Sequence, residues 1–210
     1  MRMSYITRAT LAIGACAVMG ATAGCGGDAT VANTTSDPAA GLPSVSASPS
    51  VCANPQVTSA TSPVIRLALT VSDLPAGGPP LEQISDGEMN KTANTDQRGF
   101  ANTGNTYRVE DDVVLDTSTQ AAGADYPQLR DAVKAQFATL TSTSSPATLG
   151  CQADEFAGKA STGYSQVGIA FQDGDVIVVV LVVNSAGPVD AAFAAAVALA
   201  QDQKIVATAS

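Results

Sequence analysis

Residues 164–183 read YSQVGIAFQDGDVIVVVLVV, and this stretch decides the fold. From 166 to 172, large apolar residues alternate with small or polar ones, which predicts a strand with one buried face. The Asp173-Gly174 pair that follows predicts a two-residue type I′ turn, which needs positive φ angles. Residues 176–183 are apolar at every position, which predicts a return strand covered on both faces. A membrane-spanning helix needs roughly 20 such residues, so we expect the central strand of a globular domain.

The composition of the whole chain excludes several functions. The 210 residues carry a formal net charge of −9, whereas nucleic-acid binding needs clustered Lys and Arg. We therefore expect no nucleic-acid partner. The chain contains no histidine, the commonest general base and transition-metal ligand, and we expect no metal and no cofactor. The abundance of Ala, Thr, Ser, Gly and Val resembles that of exported proteins from high-GC actinobacteria.

The N-terminal segment, residues 1–24, has the three parts of a secretory signal peptide. Met1–Arg8 carries two arginines and no acid, and the predominantly apolar Ala9–Ala21 follows with thirteen residues. Small residues then form a cleavage zone. The segment predicts export. One alternative is export with simple cleavage after Ala23 and no lipid.

The residues Thr22-Ala23-Gly24-Cys25 resemble the bacterial lipobox, which usually reads Leu-Ala-Gly-Cys. The resemblance implies that Cys25 is diacylated and becomes the mature N-terminus, although Thr22 departs from the usual Leu. Cys16 is a second candidate, but it leaves only seven residues of the apolar run before the cut. We expect lipidation of Cys25, with the membrane as a partner and the protein on the extracytoplasmic face of the cell membrane.

Residues 25–63 contain mostly Ala, Ser, Thr, Pro and Gly, and no aromatic side chain. So little apolar surface cannot offset the entropy lost on ordering. We expect a disordered stalk that holds a globular domain, residues 64–210, away from the membrane, with Ser and Thr near proline open to O-glycosylation.

The start of this domain carries a second resemblance. The apolar Val64–Thr70 is followed by Ser72-Asp73-Leu74-Pro75-Ala76-Gly77. This order is similar to the "LLT…DLPxG" opening of many actinobacterial lipoproteins and of domains related to the PknH-like extracellular sensor family.

Alternation and helical spacing predict the remaining elements. We expect a loop-like Pro79–Thr106 with a short strand at Leu81–Ile84, and a half-exposed strand at Thr106–Asp116. Asp111 falls on the apolar face of that strand and suggests a bulge or turn. We expect a helix capped by Asp125 after an earlier turn that breaks at Pro127, a loop at Ser142–Pro146, a strand at Cys151–Ala160 and a last helix opened by Pro188 and Asp190. The predicted helical stripes are Leu129, Val133, Phe137 and Leu140 in the first helix and Phe193, Val197 and Ala200 in the last.

These elements predict an α+β fold, a mostly antiparallel sheet with two or more helices packed on it. Their order resembles the PknH-like sensor and PsbP-like lipoprotein folds over Val64–Ala207. The resemblance implies a domain that binds a small molecule, a cell-wall fragment or a partner protein.

No group of residues in the sequence predicts catalysis. The run Gly163–Val167 nearly spells the G-x-S-x-G motif around Ser165, but it lacks the second glycine and the chain has no histidine for a triad. The acidic cluster Glu110, Asp111, Asp112 and Asp116 lacks the spacing of a calcium loop, and we interpret it as a solvated strand face. We interpret Asp173 and Asp175 as turn residues. We expect the domain not to be an enzyme.

Two cysteines, Cys52 and Cys151, remain after export beside the lipidated one. In an oxidising compartment two such cysteines favour a disulfide over a catalytic thiol.

Two functions remain open. The first is a lipid-anchored domain that binds an envelope ligand or partner. The alternative is a carrier of lipids or lipoglycans in an apolar cavity, lined by Gly168, Ala170 and the valines of 176–183.

The first prediction concerns the anchor. Replacing Cys25 by Ala should abolish incorporation of an alkyne-tagged fatty acid into the protein, whereas Cys16→Ala, the matched control, should keep it. Because one acyl chain binds membranes only marginally, firm anchoring needs at least two chains on the same cysteine. Fatty-acid labelling that persists in Cys25→Ala and is lost in Cys16→Ala would move the anchor to Cys16.

Overall fold

The structure, a computed structural model, describes residues 64–90, 94–146 and 148–209. Cys25, Cys52 and the predicted signal peptide and stalk lie outside these residues. Two single 3-10 turns, Val64–Arg66 and Val71–Asp73, come first. Three strands, a helix, four strands and a helix follow: β1 (Glu82–Asn90), β2 (Thr95–Ala101), β3 (Tyr107–Leu115), α1 (Thr119–Ala135), β4 (Phe137–Ser144), β5 (Gln152–Ala160), β6 (Ser165–Asp173), β7 (Val176–Asn184) and α2 (Ala191–Ala209).

The strands form one antiparallel sheet in the order β1-β2-β3-β7-β6-β5-β4. Each half of the sheet is a meander of strands that neighbour each other in the chain. The two meanders meet where β3 pairs with β7, so β7 is the central strand. The predicted fold class, an α+β domain with a mostly antiparallel sheet and helices packed on it, is confirmed.

The predicted burial of β7 on both faces is also confirmed. The side chains of Val176, Val178, Val180 and Val182 pack in one core with α2 and residues 67–69, which we call the α2-side core. Ile177 and Val179 point the other way and pack with α1 in the α1-side core. One helix therefore covers each face of the central strand.

The turn between β6 and β7 differs from the prediction. Asp173 pairs with Val176, so the two turn residues are Gly174 and Asp175, and of these only Gly174 has a positive φ, 60°. A single positive φ at the first central position is the type II′ pattern, not type I′. Both patterns match the right-handed twist of the strands, which is why the hairpin itself was predicted correctly.

In β3, the predicted bulge at Asp111 is wrong. The strand pairs without a register shift on both sides, and Asp111 stands opposite Arg98 of β2 and Val180 of β7. Its side chain enters the α2-side core and is 0% exposed. A buried carboxylate with polar neighbours takes the place of the expected irregularity.

The first helix begins earlier and ends earlier than predicted. Ser118, not Asp125, is its N-cap, with the side-chain oxygen accepting a bond from the N–H of Ala121. The helix continues through Pro127, because Tyr126 and Val133 pack on the α1-side core around it. It ends at Ala135, so the expected helical residues Phe137 and Leu140 belong to β4 instead.

The predicted loop-like Pro79–Thr106 is wrong, because it contains β2 and a β1 that is longer than the predicted strand at Leu81–Ile84. The strand β4 was not predicted either. The polar Asp96 and Arg98 of β2 face the core and hide the alternation of that strand. The segment of β4 was divided between a helix and a loop, although its alternate threonines favour a strand. The loop predicted at Ser142–Pro146 therefore begins only after Ser144.

The last helix begins at Ala191, so Pro188 lies before it and not in its first turn. The Asp190 carboxylate accepts hydrogen bonds from the N–H groups of Ala192 and Phe193, which satisfies the helix start. Phe193 and Val197 are buried as expected.

The second prediction concerns the contact between α1 and β6 at Gly168. A Cβ at this position would lie 2.7 Å from Val133 Cγ1 and 3.3 Å from a ring atom of Phe137. Gly168→Ala should therefore lower the free energy of unfolding by about 1–3 kcal/mol in urea titration, the usual cost of overpacking.

The matched control is Gly104→Ala, where the nearest atoms, in Thr106, are 3.9 Å away. This exposed position should change the free energy of unfolding by less than about 0.5 kcal/mol. Equal stability of the two variants would show that α1 does not pack against Gly168.

Candidate functional site

An open groove of about 460 Å³ lies at the end of the sheet where β5 turns into β6 and where β7 leads into α2. Its volume is in the range of small-molecule sites. The lining residues are Lys159, Gly163, Tyr164, Ser165, Asn184, Ser185, Ala186, Gly187 and Pro188. Polar and apolar groups thus face the same space.

One wall of the groove is the turn between β5 and β6. Gly163 adopts a φ of 82°, which glycine reaches without strain, and its N–H donates to Ala160 O at 2.9 Å. The N–H of Ala160 donates in return to Tyr164 O at 2.9 Å. These two bonds fix the backbone of Tyr164, and its side chain is 41% exposed.

The other wall is the loop between β7 and α2. The Asn184 amide donates to Pro188 O at 2.8 Å and accepts from the N–H of Ala186 at 2.9 Å. Ser165 Oγ of β6 accepts from the N–H of Val189 at 3.0 Å, which ties the loop to the opposite wall. The groove is therefore held open by its own hydrogen bonds before a ligand arrives.

The groove offers an aromatic ring and hydrogen-bonding groups side by side. Tyr164 presents an amphipathic ring, with an apolar face and a hydroxyl. Lys159 is exposed at the same end and supplies ammonium donors. A saccharide offers both kinds of surface, apolar C–H faces and hydroxyl groups.

Ser165, the centre of the near-motif for a nucleophile, has a structural role. It is the first residue of β6, on a strand and not on a strand-to-helix turn, and its Oγ holds the N–H of Val189. The sequence excludes a histidine base. The geometry does not assemble a serine nucleophile here.

The acidic cluster is not the solvated strand face that we predicted. Asp111 is fully buried and Glu110, Asp112 and Asp116 are half-buried. Burial raises the pKa of Asp111 and of Asp112 to about 7, and it also raises the pKa of Asp116. The predicted alternation of β3 is confirmed. The burial of its acidic side chains depends on segments that pack on the strand, and the sequence of β3 does not contain that information.

Asp173 and Asp175 flank the turn glycine as expected, but they are not ordinary exposed turn residues. Both side chains are almost fully buried. Burial raises the pKa of Asp175, and the nearby Asp116 and Asp173 add to this effect. Asp202 of α2 lies near the turn between β6 and β7, where burial and the charge of Asp173 raise its pKa to about 6.

Among the described residues, no group of three or more Asp, Glu or Cys side chains is arranged to hold a metal ion. In the same part of the chain, neither helix combines the length and the apolar character needed to cross a membrane.

Of the predicted site residues, only Cys151 is described. It precedes β5, is disulfide-bonded, and its N–H donates to Gln172 O at 2.8 Å. Cys25 and Cys52 lie outside the described residues, so the lipidation and the pairing with Cys52 stay predictions. Tyr164 and Lys159 are not among the site residues that the sequence predicts. An aromatic residue just before a strand, beside a turn glycine, was the signal available.

No family model, curated protein or solved structure matches this chain.

The third prediction is that Cys52 is the disulfide partner of Cys151. Closing a loop of about 100 residues stabilises a protein by on the order of 4–5 kcal/mol in the chain-entropy model. Alkylation of the exported protein before reduction should leave both cysteines unmodified, and a non-reducing digest should yield one cross-linked peptide pair. A free thiol at Cys52, or Cys151 joined to another molecule, would contradict the pairing.

Proposed function

We propose that this chain is an exported lipoprotein whose globular domain binds an envelope ligand in the groove beside Tyr164 without transforming it. The observation that carries the proposal is the preformed groove itself. It combines an exposed aromatic ring, a lysine and a frame of satisfied backbone bonds. A frame ordered before binding loses little conformational entropy when the ligand arrives.

The ligand class that fits best is a neutral saccharide. The groove has one charged residue among its lining residues, Lys159, and lies in a chain with a net charge of −9. That balance disfavours polyanions, since a single lysine does not form the basic cluster they need. An exposed tyrosine ring beside hydroxyl and amide groups matches a sugar face and its hydroxyls.

The absence of turnover rests on where the groups suited to proton transfer lie. Asp111 has a pKa near neutrality, but its side chain is fully buried, so a substrate cannot reach it. Asp112 also has a raised pKa, and its carboxylate is hydrogen-bonded to Gln97 in the middle of the sheet. Neither residue lines the groove at the sheet end.

The anchoring part of the proposal rests on sequence. The lipobox-like residues before Cys25 support lipidation, and the Ala/Ser/Thr/Pro-rich residues 25–63 support a stalk. With that anchor the domain belongs on the outer face of the cell membrane, where envelope saccharides are within its reach. The resemblance to sensor-type domains supports the same role.

The lipid-carrier alternative needs an apolar cavity beside Gly168, Ala170 and the valines of β7. In the described residues these positions are packed. Ala170 and Val179 belong to the α1-side core, Val178 and Val180 to the α2-side core, and Val133 and Phe137 close over Gly168. We therefore favour the groove over a cavity.

The fourth prediction tests the groove with pure probes. Titration of the ¹⁵N-labelled mature protein with cellobiose and with chitobiose should shift the amide signals of Gly163, Tyr164, Ala186 and Gly187 for at least one probe. Tyr164→Ala should weaken that binding at least about fivefold, because a buried aromatic contact is worth about 1–3 kcal/mol. The mass of the probe should be unchanged after prolonged incubation.

The matched control is Leu140→Ala, which removes another exposed apolar side chain, on β4 outside the groove lining. It should leave the titration unchanged. The proposal fails if neither disaccharide shifts the groove amides, if both variants bind equally well, or if either probe is cleaved.

A further inference from the structure

The segment Val64–Leu74, which we call the strap, lies against the α2-side core. It contains the two 3-10 turns, and between them Leu67, Ala68 and Leu69 are completely buried. These side chains pack in the same core as Phe100, Val109 and Val113 of the sheet. The strap is the first described segment of the domain, and it follows the predicted stalk in the sequence.

Three buried side chains hold the strap through its backbone. The N–H of Leu69 donates to Asp111 Oδ2 at 3.0 Å, and Gln201 of α2 donates from Nε2 to Leu67 O at 2.6 Å. Arg98 of β2 donates from Nη2 to Ile65 O at 3.3 Å. These bonds replace the contacts with water that the three side chains lose where the strap covers them.

The charges under the strap do not balance. Arg98 forms an ion pair with Asp96, with Nε and Nη2 both 3.3 Å from Oδ2. Asp111, opposite Arg98 in the sheet, is a second carboxyl in the same layer. Oδ1 of each aspartate is buried and has no hydrogen-bond partner in the described part of the chain. With both carboxylates ionised, this set of three side chains carries one uncompensated negative charge.

We propose that the strap is an acid-tightened latch: a proton on Asp111 holds it against the sheet, and loss of that proton loosens it. A neutral carboxyl keeps an acceptor for the Leu69 N–H and removes the excess charge. The ionised form must be kept in a core whose neighbouring residues on β3 and β7, Val109, Val113 and Val180, are apolar. Release of the strap would expose the apolar side chains that Leu67 and Leu69 cover.

The pKa of Asp111 supports a transition near neutral pH. Burial raises this pKa from 3.8 to about 7; the Leu69 N–H and the Arg98 charge lower it, whereas Asp112 and Asp96 raise it. Because the folded pKa lies above the unfolded one, the native state holds a proton that the unfolded chain has lost. The resulting stability is fully present below about pH 4 and disappears as the pH rises through about 7.

The other charged groups around Asp111 act differently or lie further away. On the strap, Arg66 is exposed, and Asp73 bonds to Thr70 and to Lys204 of α2. Burial alone would raise the pKa of Asp73, but these bonds hold it below its ordinary value. The ion pair between Asp73 and Lys204 is therefore lost only in strong acid. The strap is therefore held most tightly in mildly acidic solution.

The test is amide exchange in the strap of the mature chain in detergent, measured by NMR from pH 5.5 to 8.5. After correction for the intrinsic exchange rate, protection of the Leu67 and Leu69 amides should fall as the pH rises. One coupled proton limits this fall to about tenfold per pH unit below the transition near pH 7, and protection should level off above it. In Asp111→Asn, protection of the Leu67 amide should not depend on pH over this range.

Two further measurements complete the test. Asp73→Asn, the matched control, removes the ion pair with Lys204. It should lower protection of the strap amides at every pH while keeping the pH dependence. The carboxyl ¹³C shift of Asp111 in the wild-type chain should titrate with its midpoint at the pH above which strap protection levels off. Should Asp111→Asn fail to fold, agreement of these two pH values supports the latch. Disagreement between them, or wild-type protection that does not change with pH, would overturn it.

Discussion

The burial of β7 on both faces is the constraint on which the rest of this structure depends. A strand made only of apolar residues leaves no face for water, so the sheet needs a cover on each side. The chain supplies one cover from α1, inserted between the two meanders, and the other from α2, which follows β7 directly. Gly168, beside β7, lets α1 approach the sheet closely, so even the small residues of β6 follow from the packing around this strand.

Burial in this apolar core changes what its few polar side chains do. On an exposed sheet, Asp96, Arg98 and Asp111 would contribute little. In the α2-side core Asp111 and Arg98 hold the backbone of residues 64–74, Asp96 pairs with Arg98, and burial raises the pKa of Asp111. The groove at the end of the sheet uses polar groups in the opposite way. There the hydrogen bonds of Asn184 and Ser165 are satisfied within the loops, and the side chain of Tyr164 is left for a ligand.

Much of the sheet could be predicted from sequence because alternation directly reports which face of a strand is buried. This was sufficient for β3 and β6, and the unbroken apolar run of residues 176–183 identified β7. It failed at β2, where Asp96 and Arg98 occupy core positions that the pattern assigns to apolar residues, and at Phe137 and Leu140, whose spacing fits a helix although they lie in a strand. The groove was missed for another reason. It is formed by Lys159, Tyr164 and Asn184–Pro188, and the end-to-end contact of two loops depends on strand pairing that no local pattern contains.

The central claim is that this domain binds through the groove beside Tyr164 on a frame that does not rearrange. The most direct measurement is hydrogen–deuterium exchange across the mature chain, with and without the soluble saccharide fraction of the cell envelope. The account predicts slower exchange confined to the two groove walls, residues 161–165 and 184–189. Slower exchange in the middle of the sheet instead, or no change at either wall, would contradict it.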